Sequence, residues 1–332
     1  MSAAPKWDRV CHAAVSMSSD AASRAEALLE TSPDDLEARV QLIGYYFLSS
    51  EPAAQAKRNA HIHWLISHHP EVGLSAYARI IEDMWPEAYE EGKRRWQLVV
   101  AERPDDTAVL KNASTFLFLF DPALAEEMVR RGAVLEPDEA DWHTSLARLR
   151  MLAARGAESD ADRLALAREG LAEYDNALEL ETHPLGRYGL RISVAEAAYE
   201  AGERARAAEV AARVLAEAPD FEDTFQFGNG VHRGHIVLGR VALDAGDLAG
   251  ARDHLAAAGA TRGSPQLDSF GPDFVLAGAL LARGERDAVV AYLDACKRFW
   301  TDEEPALERW KKRIERGETP SFQSWSDDPI DE

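Results

Sequence analysis

The chain has 332 residues, with 37 basic against 58 acidic side chains and a formal net charge of -21. So acidic a surface excludes a nucleic-acid backbone or an anionic membrane as the main partner and suits a protein, a peptide or a small basic or neutral ligand. Cys11 and Cys296 stand far apart and imply no disulfide framework, no run is long enough to span a bilayer, and residues 1–17 lack the apolar core of a signal peptide, so a cytoplasmic protein is expected.

Apolar residues recur at helical spacing between regular Pro and Gly punctuation, without sustained strand alternation, which makes the chain all-α. Lys6–Ser18 and Asp20–Glu30 are expected as a first, irregular helix pair, with Ala25, Leu28 and Leu29 buried. Pro33-Asp34-Asp35 breaks and re-caps the chain before Leu36–Leu48, whose apolar side holds Leu42, Tyr45 and Tyr46. Its partner is Ala53–Ser67, ending at His68-His69-Pro70. Glu71–Met84 and Pro86–Glu102 are expected as a third pair, with Pro86 in a first turn.

Pro104-Asp105-Asp106 opens a fourth unit, Thr107–Phe120 followed by Pro122–Leu135 and closed by Pro137. Ala140–Ala154 carries the series Trp142, Leu146, Leu149. After a loop at Gly156–Asp160, a long helix to Leu180 places Gly170, Tyr174 and Ala177 in a small–large–small pattern. The sixth unit, Arg187–Ala218, reads Ala195, Ala198-Tyr199, Gly202-Glu203, Ala208, Ala212, Leu215 and then Pro219.

The seventh, His232–Ala258, is the most complete. Gly239 and Ala242 share a face of its first helix, Ala251 and Ala258 a face of its second. Small residues there let two helices cross closely, with Leu238 and Leu255 filling the space between. Gly246 suits a left-handed helix stop and Asp247 the next cap. The eighth unit, Asp273–Trp300, repeats this with Leu276-Ala277, Leu280, Gly284-Glu285, Val289, Leu293 and Cys296.

These positions, at a period of roughly 34 residues, resemble the tetratricopeptide repeat (TPR) family. The resemblance is strongest over 187–300, weaker over 104–180 and weakest before that. It implies an all-α, right-handed superhelical solenoid of antiparallel helix pairs, about eight pairs plus a C-terminal capping helix, with first helices lining a concave groove. The corresponding layout is 1–103 as degenerate repeats, 104–300 as TPR-like repeats with inserted loops at 221–231 and 259–272, 301–316 as the capping helix and 317–332 as a mobile acidic tail.

Two places on this layout are candidate sites. The first-helix arginines Arg187, Arg191, Arg233 and Arg240 form co-facial pairs that could clamp a carboxylate or phosphate. Alternatively, they pair with Glu196, Glu203, Asp223 or Asp244 as surface salt bridges. Only Lys111-Asn112 resembles the terminal-carboxylate clamp of other TPR proteins.

The second place is where the inserted loops meet. Phe225, Phe227 and Phe270 would wall a pocket holding Asn229, His232, His235, Gln266, Ser269 and Asp273. Alternatively, the loops only elaborate packing. His232 and His235 share a helix face and are weak metal candidates with Asp273 or His254. His61, His63, His68 and His69 read as a solvated helix end.

No phosphate-cradling glycine loop, HExxH or GxSxG is present, and no cofactor or catalytic residue is expected. The favoured function is a non-enzymatic scaffold holding another protein or peptide in the groove, with no nucleic acid and no membrane. The alternative is a small-ligand-binding protein or enzyme using loops 221–235 and 259–273.

Overall fold

The computed structural model describes residues 4–301 and 304–322. Among the described residues the regular structure is entirely helical. The chain forms two compact units, Met1–Leu149 and Arg150–Glu332.

Unit 1 contains α1 (Ala4–Ala14), α2 (Ser19–Thr31), α3 (Leu36–Tyr45), α4 (Pro52–His68), α5 (Pro86–Glu102), α6 (Thr107–Leu117), α7 (Pro122–Leu135) and most of α8 (Ala140–Arg155). The Pro-Asp-Asp breaks work as expected: Asp35 accepts from the Ala38 amide at 2.8 Å and Asp106 from Val109 at 3.1 Å. Pro52, Pro86 and Pro122 each open a helix, where a missing N–H costs nothing. The core gathers Ile43, Ile62, Leu110, Leu117 and Tyr89, whose ring stacks on Phe116 at 5.2 Å.

The expected helix over Glu71–Met84 does not form. This stretch is irregular chain with one short 3₁₀ turn, Ser75–Ala78, and it buries Val72, Leu74 and Ile80. Pro70 and Gly73 disfavour a helix at its start. Side chains replace the lost backbone ladder: Arg58, only 5% exposed, donates from Nη2 to the carbonyls of Tyr77 (2.6 Å) and Arg79 (2.9 Å). Asn112 donates to Pro70 O at 2.8 Å. Buried carbonyls without donors would be costly, so these two side chains hold the segment in place.

Unit 2 contains the end of α8, then α9 (Asp160–Leu180), α10 (Pro184–Glu200), α11 (Arg204–Glu217), α12 (Gln226–Asp244), α13 (Leu248–Gly259), α14 (Pro265–Phe270), α15 (Val275–Leu281), α16 (Arg286–Cys296) and α17 (Glu304–Glu315). Helices α10/α11, α12/α13 and α15/α16 are the TPR-like pairs, and first helices α10, α12 and α15 pack as neighbours. Gly246 turns α12 into α13 at φ +80°, and the Asp247 carboxylate caps the Gly250 amide at 2.9 Å. Leu255, Leu276, Leu280 and Leu293 are fully buried, each contributing roughly 2 kcal/mol.

Helix α17 seals this core with Leu307, Trp310 and Ile314. The segment expected to begin a mobile tail is packed through Phe322, whose ring stacks on Phe274 at 5.2 Å; residues 323–332 lie outside the described residues.

Candidate functional site

Neither inserted stretch is the open loop that was expected. The first shortens to a turn, because α12 begins at Gln226 and takes in most of 221–231. Gly228 explains the misreading. A Cβ there would lie 1.8 Å from the Gly263 carbonyl oxygen, so glycine serves close approach within a helix rather than a bend. The second stretch folds into α14, capped by Ser264, whose Oγ accepts from the Leu267 amide at 3.1 Å.

The two stretches do meet, and they close on each other. Ser264 Oγ donates to Asn229 Oδ1 at 2.5 Å, and Asn229 Nδ2 donates to Gln226 Oε1 (3.3 Å) and Gln266 Oε1 (3.2 Å). Thr261 Oγ1 donates to Gly228 O at 3.3 Å. The polar groups expected to line a pocket here bond one another. Phe225 and Phe270 are 47% and 83% exposed, while Phe227 packs under the Arg262 guanidinium at 4.5 Å. Ser269 is exposed and takes no part in the network. Ser264 and Thr261 do take part and were missed, since nothing in their local spacing marks them.

His232 is fully buried, with both ring nitrogens engaged. Nδ1 donates to Ala258 O at 3.1 Å and Nε2 accepts from the Asp273 amide at 3.0 Å. That fixes a neutral tautomer, in keeping with burial, which pulls the ring's pKa below its ordinary value. No lone pair remains for a metal, so His232 is not a ligand. Asp273 is held in place as well: Oδ1 accepts from the Val275 amide at 2.7 Å and its carbonyl from the Tyr292 hydroxyl at 2.7 Å. His235 turns instead to His254, Nδ1 to Nδ1 at 3.0 Å. Among the described residues, no group of three or more His, Cys, Asp or Glu is placed to hold a metal ion.

The groove arginines are all engaged. Arg187 Nη1 donates to the carbonyls of Leu178 and Glu181, both at 2.7 Å, and so ties α10 to the end of α9. Arg191 pairs with Glu217 at 2.9 Å, Arg233 bidentately with Glu196, and Arg240 with Glu200 at 2.7 Å. Glu196 and Glu200 lie one turn apart on α10, so they zip α10 to Arg233 and Arg240 on α12. Tyr199 sits between two guanidinium groups, Arg204 and Arg240, each 3.8 Å from its ring. Its hydroxyl donates to Asp244 at 2.9 Å. These partly buried pairs form a charged face along the first helices α10 and α12.

In unit 1, Lys111 pairs with Asp141 and Asn112 supports the 71–84 segment, so neither forms a clamp. His61 lies against Arg39, His63 donates to Ala88 O at 2.8 Å, His68 to Trp64 O at 2.9 Å, and His69 faces Glu71 at 3.3 Å. The four rings point to separate partners. A shallow depression of about 410 Å³ is lined by Glu87, Glu90, Glu91, Arg94 and Gln97, all on the outer face of α5. Arg94 and Arg95 hold the Glu91 carboxyl down at about 2, which removes it as a proton carrier near neutral pH. Burial pushes both the Cys11 and Cys296 thiols up to about 12, so neither is a nucleophile.

No protein-family model matches the chain, and the search of curated proteins gives no match. Among solved structures, the chain is similar to PilW, a widely conserved type IV pilus biogenesis factor. The identity is 18% and the TM-score 0.44, over 71% of this chain and 92% of that one.

Proposed function

We propose that the chain is a non-enzymatic scaffold that holds an extended segment or helix of another protein along the first-helix face of unit 2. The observation that carries this reading is the row of ion pairs Arg191–Glu217, Arg233–Glu196 and Arg240–Glu200, with Tyr199 among them. A ligand carboxylate can replace the Glu partner of such a partly buried pair, and a ligand cation the Arg, so that neither charge is left without a partner. The fold supports the reading by analogy, since helical-repeat faces are extended binding surfaces. A cytoplasmic location belongs to the same proposal and is supported by two thiols that are both buried and unpaired.

The test is site-specific photo-cross-linking in the host cell. A photoreactive residue replaces Glu200 on the α10 face or Glu209 on the exposed side of α11. The reading expects one defined protein captured from position 200 and not from 209. Capture from both positions alike, or from neither, overturns it.

A further inference from the structure

α12 and α13 are the two helices of one repeat, and His235 and His254 meet across their contact. The Nδ1 atoms lie 3.0 Å apart, the ring centroids 5.3 Å apart, and the ring planes at 37°. Without a metal, one ring donates its Nδ1 proton to the other. The same separation is the bite of two imidazoles on one ion: nitrogens about 2.0–2.1 Å from a divalent metal, at tetrahedral or octahedral angles, stand roughly 3 Å apart.

The rings are ready for that role. Burial keeps both in the neutral form that ligates. Moving one proton from Nδ1 to Nε2 frees both Nδ1 lone pairs without releasing a proton to solvent. Both residues are only partly buried, so water can reach an ion held there. Asp247 and Asp253 place negative charge beside His254, and Asp253 is exposed.

We infer that His235 and His254 chelate a divalent transition-metal ion of the imidazole-preferring class, Zn(II), Ni(II) or Cu(II), through their Nδ1 atoms, and so clip α12 to α13. The protein supplies two ligands and water completes the coordination, because among the described residues no third metal-binding side chain joins the pair. The ion binds the folded repeat and stabilises it by mass action.

The experiment uses the full chain, stripped with chelator and titrated separately with ZnCl₂ and NiCl₂, read by calorimetry and thermal melting. One ion per chain and a raised Tm are expected. His235→Gln and His254→Gln should each weaken binding roughly 100-fold by removing the chelate and should abolish the rise in Tm. His68→Gln with His69→Gln should change neither. Electron paramagnetic resonance of the native chain with one equivalent of Cu(II) should show coupling to two imidazole nitrogens, which tests the site even if a variant misfolds. Absence of stoichiometric binding, affinity unchanged in both single variants, or coupling to fewer than two nitrogens overturns the inference.

Discussion

In unit 1 the stack of helix pairs is interrupted by residues 71–84, whereas in unit 2 the pairs from α10 to α16 run with only a short elaboration at α14. The difference shows in how each unit uses its buried polar groups. Where the backbone ladder is lost, unit 1 spends a buried guanidinium on two carbonyls. In unit 2, Arg187 and Arg298 donate to carbonyls near helix ends, while Arg233 and Arg240 pair with Glu196 and Glu200 across the face of α10 and α12. A fully buried device of the same kind in unit 2 is His232, which joins the end of α13 to the chain entering α15.

The largest effect should come from Arg58. Arg58→Met keeps the stem but leaves Tyr77 O and Arg79 O without donors, at about 4 kcal/mol in total for two buried acceptors. Among the described residues no carboxylate pairs with Arg58, and burial holds its guanidinium pKa down to about 10, so its value lies in donation geometry rather than charge pairing. Arg58→Lys should therefore recover only part of the loss. Urea denaturation, with hydrogen exchange assigned to α4 and to residues 71–84, would read both. An unchanged midpoint for Arg58→Met would mean that water serves those carbonyls.

The matched experiment in unit 2 is His232→Leu, which leaves Ala258 O and the Asp273 amide unpaired and should cost about 3 kcal/mol. The loss is set slightly below that at Arg58 because a donor and an acceptor are freed together and can partly re-pair through water. Exchange protection should fall in α13 and α15 while α4 keeps its own. If both variants lower protection in both units equally, the two are one cooperative body and the contrast drawn above fails.

Much of unit 2 was legible because its turns have single-residue solutions. A left-handed stop selects Gly246, and a short carboxylate caps the next helix from Asp247. The close crossing of α12 and α13 likewise selects Ala251 and Ala258, both fully buried. The same logic misled at Gly228, where glycine answers to a neighbouring carbonyl remote in sequence. In unit 1, spacing alone could not tell a helix from an irregular segment at Val72, Leu74 and Ile80, since Arg58 and Asn112, which satisfy that segment, are distant in sequence. Co-facial arginines were readable, but their partners were not: of the four carboxylates first considered, only Glu196 pairs with a groove arginine, beside Glu200 and Glu217. Pairing across helices depends on stagger, which local periodicity does not encode. His235 was seen as sharing a face with His232, yet its ring turns to α13.

The smallest predicted effect is one the two units share. Burial is the leading cause holding His61 in unit 1 and His235 in unit 2 each at about 4, below the ordinary value of 6.5. The folded chain keeps these rings neutral, while the unfolded chain takes up protons as the pH falls through about 6.5. Stability from this source is therefore complete above 6.5, declines as the pH falls, and is gone once the pH passes below 4. At pH 5 each ring should have cost its unit about 2 kcal/mol relative to pH 7.5. Thermal melts at the two pH values should show the drop in the native chain, with less of it in unit 2 after His235→Gln and less in unit 1 after His61→Gln. Arg39 beside His61 adds repulsion that His235 meets only from neighbouring histidines. A cation at fixed charge acts at every pH, whereas His254 and His232 repel only once protonated. The decline in unit 1 should accordingly be the smoother of the two, and that of unit 2 the steeper at its acid end.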